Sequence, residues 1–291
     1  MKDNNKIFDY MTENDNIKRI KIMHSIRGND QNFGEMPPID LEIDLDKEYK
    51  EYKNEKENKI DNVIKKLKNI ILSKLKEKNI TQDYPIVLYA IAPNSILVSI
   101  AYILEKCGYN FVFLPKPKDS LSWGFKDIEI DEPELKSFIE SKSNVMRIDN
   151  INHPIGILLS GESNIDDIEQ VYKDDKNLII NKGFDYSYSN IITITHKIVL
   201  GEHSHKSLLN KKCYYVFTKK IDEIFDDIVK YRNLEEVHIL SSIPANGLLY
   251  VGQKIADYKY DYLTFYIYNY SSDNKRYELG AILNSNLIES L

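Results

Sequence analysis

At 291 residues, with 42% apolar and 29% charged side chains, the chain has the make-up of a globular protein with room for one large core or two ordinary ones. A formal net charge of −6 argues against a coat for long DNA or RNA, although local lysines and backbone N–H groups can still hold a small phosphate-bearing ligand. No run reaches the roughly 20 apolar residues of a membrane helix, the N-terminus lacks the apolar heart of a signal peptide, and Cys107 and Cys213 suit neither a disulfide framework nor a zinc site. A cytoplasmic protein with two ordinary buried thiols and no membrane contact is expected.

Residues 1–17 read as a polar tail. Ile20, Ile22 and His24 then alternate with Arg19, Lys21 and Met23, which is a strand pattern. A second strand carries Ile39, Leu41, Ile43 and Leu45 on one face and Asp40, Glu42, Asp44 and Asp46 on the other. Strict alternation reads these carboxylates as a solvated, charged edge rather than a metal site. Ile60, Val63, Ile64, Leu67, Ile70, Ile71 and Leu75 form one helical stripe. Next come a strand at Ile86–Ala90, a small polar turn, a helix at Ile96–Lys106 and a strand at Asn110–Leu114, a βαβ-type unit that favours a parallel sheet. A buried strand ending at Leu159 leads into the turn Ser160-Gly161 and a helix from Asn164. "LIIN", "NIITITHKIVL" and "CYYVFT" read as further strands, and Lys220–Tyr231 as an amphipathic helix. The last unit runs from a strand at Val237–Ser241 through a turn to a helix at Leu248–Asp257 and a strand at Tyr262–Tyr268.

Pro93 and Pro244 lie 151 residues apart, and the two units match at that offset without a gap. Ile86 meets Val237, Leu97 meets Leu248, Ala101 meets Gly252, Leu104 meets Ile255, Tyr109 meets Tyr260 and Phe111 meets Tyr262. Apolar periodicity recurs easily, whereas coincident Pro, small and Tyr positions do not, so the unit is read as duplicated. Duplicated βα units can set equivalent turns about a pseudo-two-fold axis at the carboxyl ends of the strands. Ligands bind open parallel sheets there, and helix N-termini favour phosphates. Pro93, Asn94, Ser95, Pro244, Ala245, Asn246 and Gly247 are therefore candidate ligand contacts. The prolines end strand pairing, and the small residues let the backbone approach a ligand closely.

At "IVLYAIAPNSILVSIAYILEKC", "VHILSSIPANGLLYVGQKIA" and "GILLSGESNIDDIEQVY" the chain resembles the SAVED domain family, and "PPIDLEIDL" is similar to the acidic-apolar strand that opens many such domains. The resemblance implies an α/β fold of two fused Rossmann-like, CARF-like units with largely parallel sheets and pseudo-two-fold symmetry, here at residues 18–150 and 151–291. It implies a sensor of a cyclic tri- or tetranucleotide, commonly adenine-rich, in antiphage systems of the CBASS type or linked to type III CRISPR, with no cofactor. No effector-sized segment lies outside the resemblance, so a separate effector polypeptide or ligand-induced self-association is expected to carry the output. A ring nuclease that opens the same ligand is the enzymatic alternative, because in-line attack by a ribose 2′-hydroxyl needs little sequence signature.

Other candidate contacts lie near these turns. Trp123, in a long loop with Lys116 and Lys118, can stack a base beside a phosphate, or simply anchor its own loop. Lys275 and Arg276, between Tyr270 and Tyr277, are candidates for phosphate. Ser160 in "LLSGES" lacks the G-x-S-x-G frame of a nucleophile and reads as a turn residue or ligand contact. The stretch "THKIVLGEHSHKS" holds His196 as well as His203 and His205, and the last two read as polar loop residues, not a metal pair.

Overall fold

A computed structural model describes residues 16–24, 36–46, 60–116, 123–125, 139–145, 155–160, 194–200, 208–230, 234–271 and 276–285. The first sheet holds β1 (Lys18–Met23), β2 (Leu41–Asp44), β3 (Ile86–Ile91) and β4 (Phe111–Phe113). Their order is β2-β1-β3-β4, and every pairing is parallel. Parallel neighbours need long crossovers, and helices α1 (Ile60–Glu77) and α2 (Asn94–Lys106) supply those on either side of β3. β3 reads IVLYAI and is buried along nearly its whole length, as a central strand covered on both faces should be. β2 is an edge strand whose Leu41 and Ile43 turn inward while Glu42 and Asp44 face out. Glu42 finds a cation on the neighbouring strand, 3.0 Å from the Lys21 ammonium, while Asp44 accepts from the Asp46 N–H. Ile17, expected in the tail, is buried against Val87, Tyr89 and Val112 on the outer face of this sheet.

The second sheet holds β5 (Ile139–Val145), β6 (Ile155–Ser160), β7 (Ile194–Leu200), β8 (Glu236–Ser241), β9 (Thr264–Ser271) and β10 (Arg276–Leu283), in the order β10-β9-β8-β6-β7-β5. Its inner four strands are parallel, and the two edges are antiparallel. The inner order β7-β6-β8-β9 repeats β2-β1-β3-β4 strand for strand. Helices α3 (Lys211–Ile228) and α4 (Ala245–Ile255) occupy the places of α1 and α2. The duplication thus covers four strands and two helices, well beyond the segment in which the sequence shows it.

Four expectations are corrected. "CYYVFT" lies inside α3 and is not a strand. Asn210 caps that helix by accepting from the Lys212 and Cys213 N–H groups. Cys213, Phe217, Ile221, Ile224, Phe225 and Ile228 then bury one helical face, so tertiary burial overrides the strand preference of Tyr, Val and Phe. The central helices start earlier than expected, at Asn94 and Ala245, so the small polar residues form first helical turns rather than loops. Phe111 pairs with Ile86, 25 residues earlier, but Phe265 pairs with Val237, 28 residues earlier. The structural match of Phe111 is therefore Phe265 and not Tyr262, with a short 3₁₀ turn at Tyr258–Tyr260 ahead of β9. Finally β5, ahead of the division expected at residue 150, pairs with β7 in the second sheet.

The two units share one core, which runs from Ile20 through both central helices to Leu283. Ser95 to Leu104 are ten consecutive buried residues of α2, the signature of a helix covered all round. Along its length α2 meets α4, and it also touches β9 and β10. Ala101 and Gly252, equivalent under the 151-residue offset, meet each other, as residues beside a two-fold axis must. A Cβ built on Gly252 would lie 2.8 Å from the Ala101 Cβ and closer still to the Val98 carbonyl oxygen. On the far side of α4, Lys254 is held by Asp222 of α3 at 2.6 Å, and the Tyr250 hydroxyl donates to the same carboxylate.

Gly252→Ala tests this crossing. Helix propensity alone would stabilise the variant by about 1 kcal/mol, but overpacking against backbone costs about 1–3 kcal/mol. The expected net outcome is a lower urea midpoint at unchanged slope; an unchanged or higher midpoint would mean that the helices do not cross this tightly.

Candidate functional site

Each central helix begins immediately after a proline at the carboxyl end of a central strand. Pro93 has φ −56° and ψ 153°, and Pro244 has φ −58° and ψ 154°, so the two turns are the same object in backbone terms. They also adjoin. The Asn94 side chain donates to the Ser241 carbonyl at 2.8 Å, at the last residue of β8. The backbone N–H of Ser95 donates to the side-chain oxygen of Asn269 near the end of β9 at 2.9 Å. The start of α3 joins the same edge, because Asn246 Nδ2 donates to the Leu208 carbonyl at 2.6 Å. Three helices therefore open at one end of the molecule, none with an acidic residue in its first turn. α3 opens on Lys211 and Lys212, against the preference of a helix N-terminus for negative charge. The starts of α2, α3 and α4 thus offer dipole ends and two lysines to an anion, in a chain whose net charge is −6.

The expected contacts fall into groups. Pro93, Ser95, Asn246 and Gly247 are buried, while Asn94, Pro244 and Ala245 remain partly exposed. Gly247 lacks a side chain for a packing reason: a Cβ there would lie 2.7 Å from Ile243 and 2.9 Å from Leu208. Ser160 ends β6, one strand from the Ser241 turn, where the Ser242 N–H donates to the Leu159 carbonyl. Lys116 follows β4 at the same edge and is partly exposed. Trp123 packs edge-on against Tyr89 and Phe113, with ring centroids 5.2 and 6.4 Å away, so its ring anchors the loop on β3 and β4. Phe125, two residues on, reaches Tyr214 of α3 at 5.4 Å. Arg276 opens β10, its backbone opposite Ser271. Lys118, Gly161, Lys275, His203 and His205, and the segments 161–193 and 201–207, lie outside the described residues.

Asn269 and Gly280 stand at this edge and were not singled out in the sequence; Tyr270 and Tyr277 stand beside them. Tyr270 is exposed and meets Tyr277 edge-on at 5.4 Å. Burial, then the neighbouring Tyr270, pushes the Tyr277 hydroxyl up to about 12, so it stays a neutral donor. Two signals were present: a lone amide among the aromatics of "FYIYNYS", and a glycine inside the strand "RYELGAIL", which commonly marks a bulge.

Comparison with known proteins agrees with this architecture. No curated protein resembles the chain by sequence alone. Among solved structures it is similar to the Acinetobacter baumannii Cap4 SAVED/CARF-domain receptor with the cyclic trinucleotide 3′3′3′-cAAA, at TM-score 0.54 and 12% identity over 92% of this chain and 52% of that one. The same receptor with 2′3′3′-cAAA gives TM-score 0.52 and 11% identity, over 92% and 51%. The Moraxella osloensis Cap4 receptor gives TM-score 0.51 and 11% identity, over 92% and 50%. The chain thus spans about half the length of these receptors. The family model described as "SMODS-associated and fused to various effectors sensor domain" matches residues 63–282, and on that match the chain belongs to the SAVED family.

Proposed function

We propose that the chain binds a cyclic tri- or tetranucleotide, adenine-containing, at the mouth where α2, α3 and α4 begin. In this reading it passes the signal to a separate effector polypeptide, or transmits it by self-assembly, in antiphage defence. One observation carries the reading: both units present their strand ends and acid-free helix N-termini to the same place. A cyclic ligand with several phosphates can touch both units there at once, which a linear nucleotide in one unit cannot. Cyclic trinucleotides on Cap4 receptors of similar fold support the ligand class. In this reading Asn94, Pro244 and Ala245 line the mouth, and Ser160, at the end of β6, is a further candidate contact. Lys116 and Trp123 belong to a loop beside it, Arg276 opens β10, and Lys275 is another candidate contact. Pro93, Ser95, Asn246 and Gly247 hold its floor in shape.

A thermal-shift screen against cyclic di-, tri- and tetranucleotides tests binding. A trinucleotide or tetranucleotide should raise the melting temperature, by the equivalent of about 2.7 kcal/mol at a hundredfold excess over its dissociation constant. No shift with any ring would sink the proposal. Chromatography of the incubated ligand should return an intact ring; linear products would make the chain a ring nuclease.

Charge at the rim is tested by Lys116→Ala and Arg276→Ala. Each should weaken binding by about 1.5–3 kcal/mol, the worth of a hydrogen bond to a charged group. Unchanged affinity in both would leave the phosphates to backbone groups alone. For output, light scattering should show a mass increase, or a pull-down a tighter partner, when ligand is added. Tight binding that changes neither would make the chain a ligand sponge.

A further inference from the structure

The two turns share a backbone but not their chemistry. At the start of α2, the Asn269 carboxamide makes two bonds: its oxygen accepts from the Ser95 N–H at 2.9 Å, and its Nδ2 donates to Ser95 Oγ at 2.8 Å. The Ser95 carbonyl in turn accepts from Ser99 Oγ at 2.7 Å. Space for the amide is made by the bulge between Leu279 and Ala281 in β10. A Cβ on Gly280 would lie 2.5 Å from Ser95 Oγ and nearer still to Asn269 Nδ2. Helix, strand and bulged strand therefore close around one amide. Among the described residues the second unit shows no counterpart. Ladder pairing matches Phe265 to Phe111, which puts Pro115 at the position of Asn269. Asn246, the counterpart of Ser95, bonds instead to the Leu208 carbonyl.

We propose that Asn269 is a resident occupant of the anion position at the Ser95 N–H of α2, which ties the first turn to the other unit and keeps the ligand's charge off that N–H. Unpaired N–H groups at a helix start ordinarily attract an anion, and here an amide oxygen from the other unit supplies the acceptor. The second half of the proposal rests on the cyclic-oligonucleotide reading; the first half does not.

Asn269→Asp and Asn269→Leu separate occupancy from shape. A carboxylate can still accept from the Ser95 N–H, and Ser95 Oγ can turn its proton to donate, so both bonds survive next to a favourable dipole. Leucine fills similar space with no acceptor, and losing the bonds should reduce the folding equilibrium constant roughly tenfold or more. In urea melts, Asn269→Asp is expected nearer to wild type than to Asn269→Leu; a midpoint nearer to Asn269→Leu overturns the occupancy. Calorimetry with 3′3′3′-cAAA then reads the second half. Affinity of Asn269→Asp should stay less than about tenfold below wild type, whereas a larger loss, as a new charge facing a phosphate produces, would show that the ligand's charge does reach that N–H. If wild type binds no ring, the functional reading falls, and the urea melts alone decide the proposal.

Discussion

The close crossing of α2 and α4 is the constraint on which the rest depends. Two duplicated units could each fold around a separate core and present their strand ends in unrelated directions. Here Ala101 and Gly252 let the helices approach until side chain meets backbone, and one apolar core runs through both units. Because each helix starts at the carboxyl end of its own strand, fixing the helices against one another also fixes the two turns side by side. Asn94 then reaches the end of β8, and Ser95 reaches Asn269. The site follows from the core and not from the loops.

Charge at the mouth is local. A net charge of −6 says nothing of where the charges lie, and some of the described acids lie away from these helix starts. Glu42 and Asp44 face out from an edge strand. Asp226 and Asp227 occupy the C-terminal half of α3, held by Lys259 and Lys230. The starts of α2, α3 and α4 carry none. Helix dipoles, with two lysines at the start of α3, favour small anions at these starts without making the whole surface basic.

Much of the fold was legible because burial writes itself into periodicity. The apolar run of β3, the alternation of β2 and the stripe of α1 were all readable, as was the offset joining the two proline turns. Reading failed where two signals competed. In "CYYVFT" the strand preference of individual residues was followed, although the offset maps α1 onto this very stretch and Asn210 signals a helix cap. The three added residues before β9 were invisible because Tyr109 and Tyr260 align by identity while the ladder pairs different residues. The small polar residues of the turns were legible as special but not in their roles. Asn94 and Ser95 bond to residues 147 and 174 positions away, and no local pattern encodes such a partner. Gly247 and Gly280 likewise serve packing between elements distant in the chain.

A crystal structure of the protein grown with 3′3′3′-cAAA, the ring held by a Cap4 receptor of similar fold, is the most direct measurement. The ring should lie between the ends of β3 and β8, touching residues of both units, with the α2–α4 crossing unchanged. A ring bound to one unit alone, or on a face away from the two proline turns, would show that the shared core and the duplicated turns do not build the ligand site.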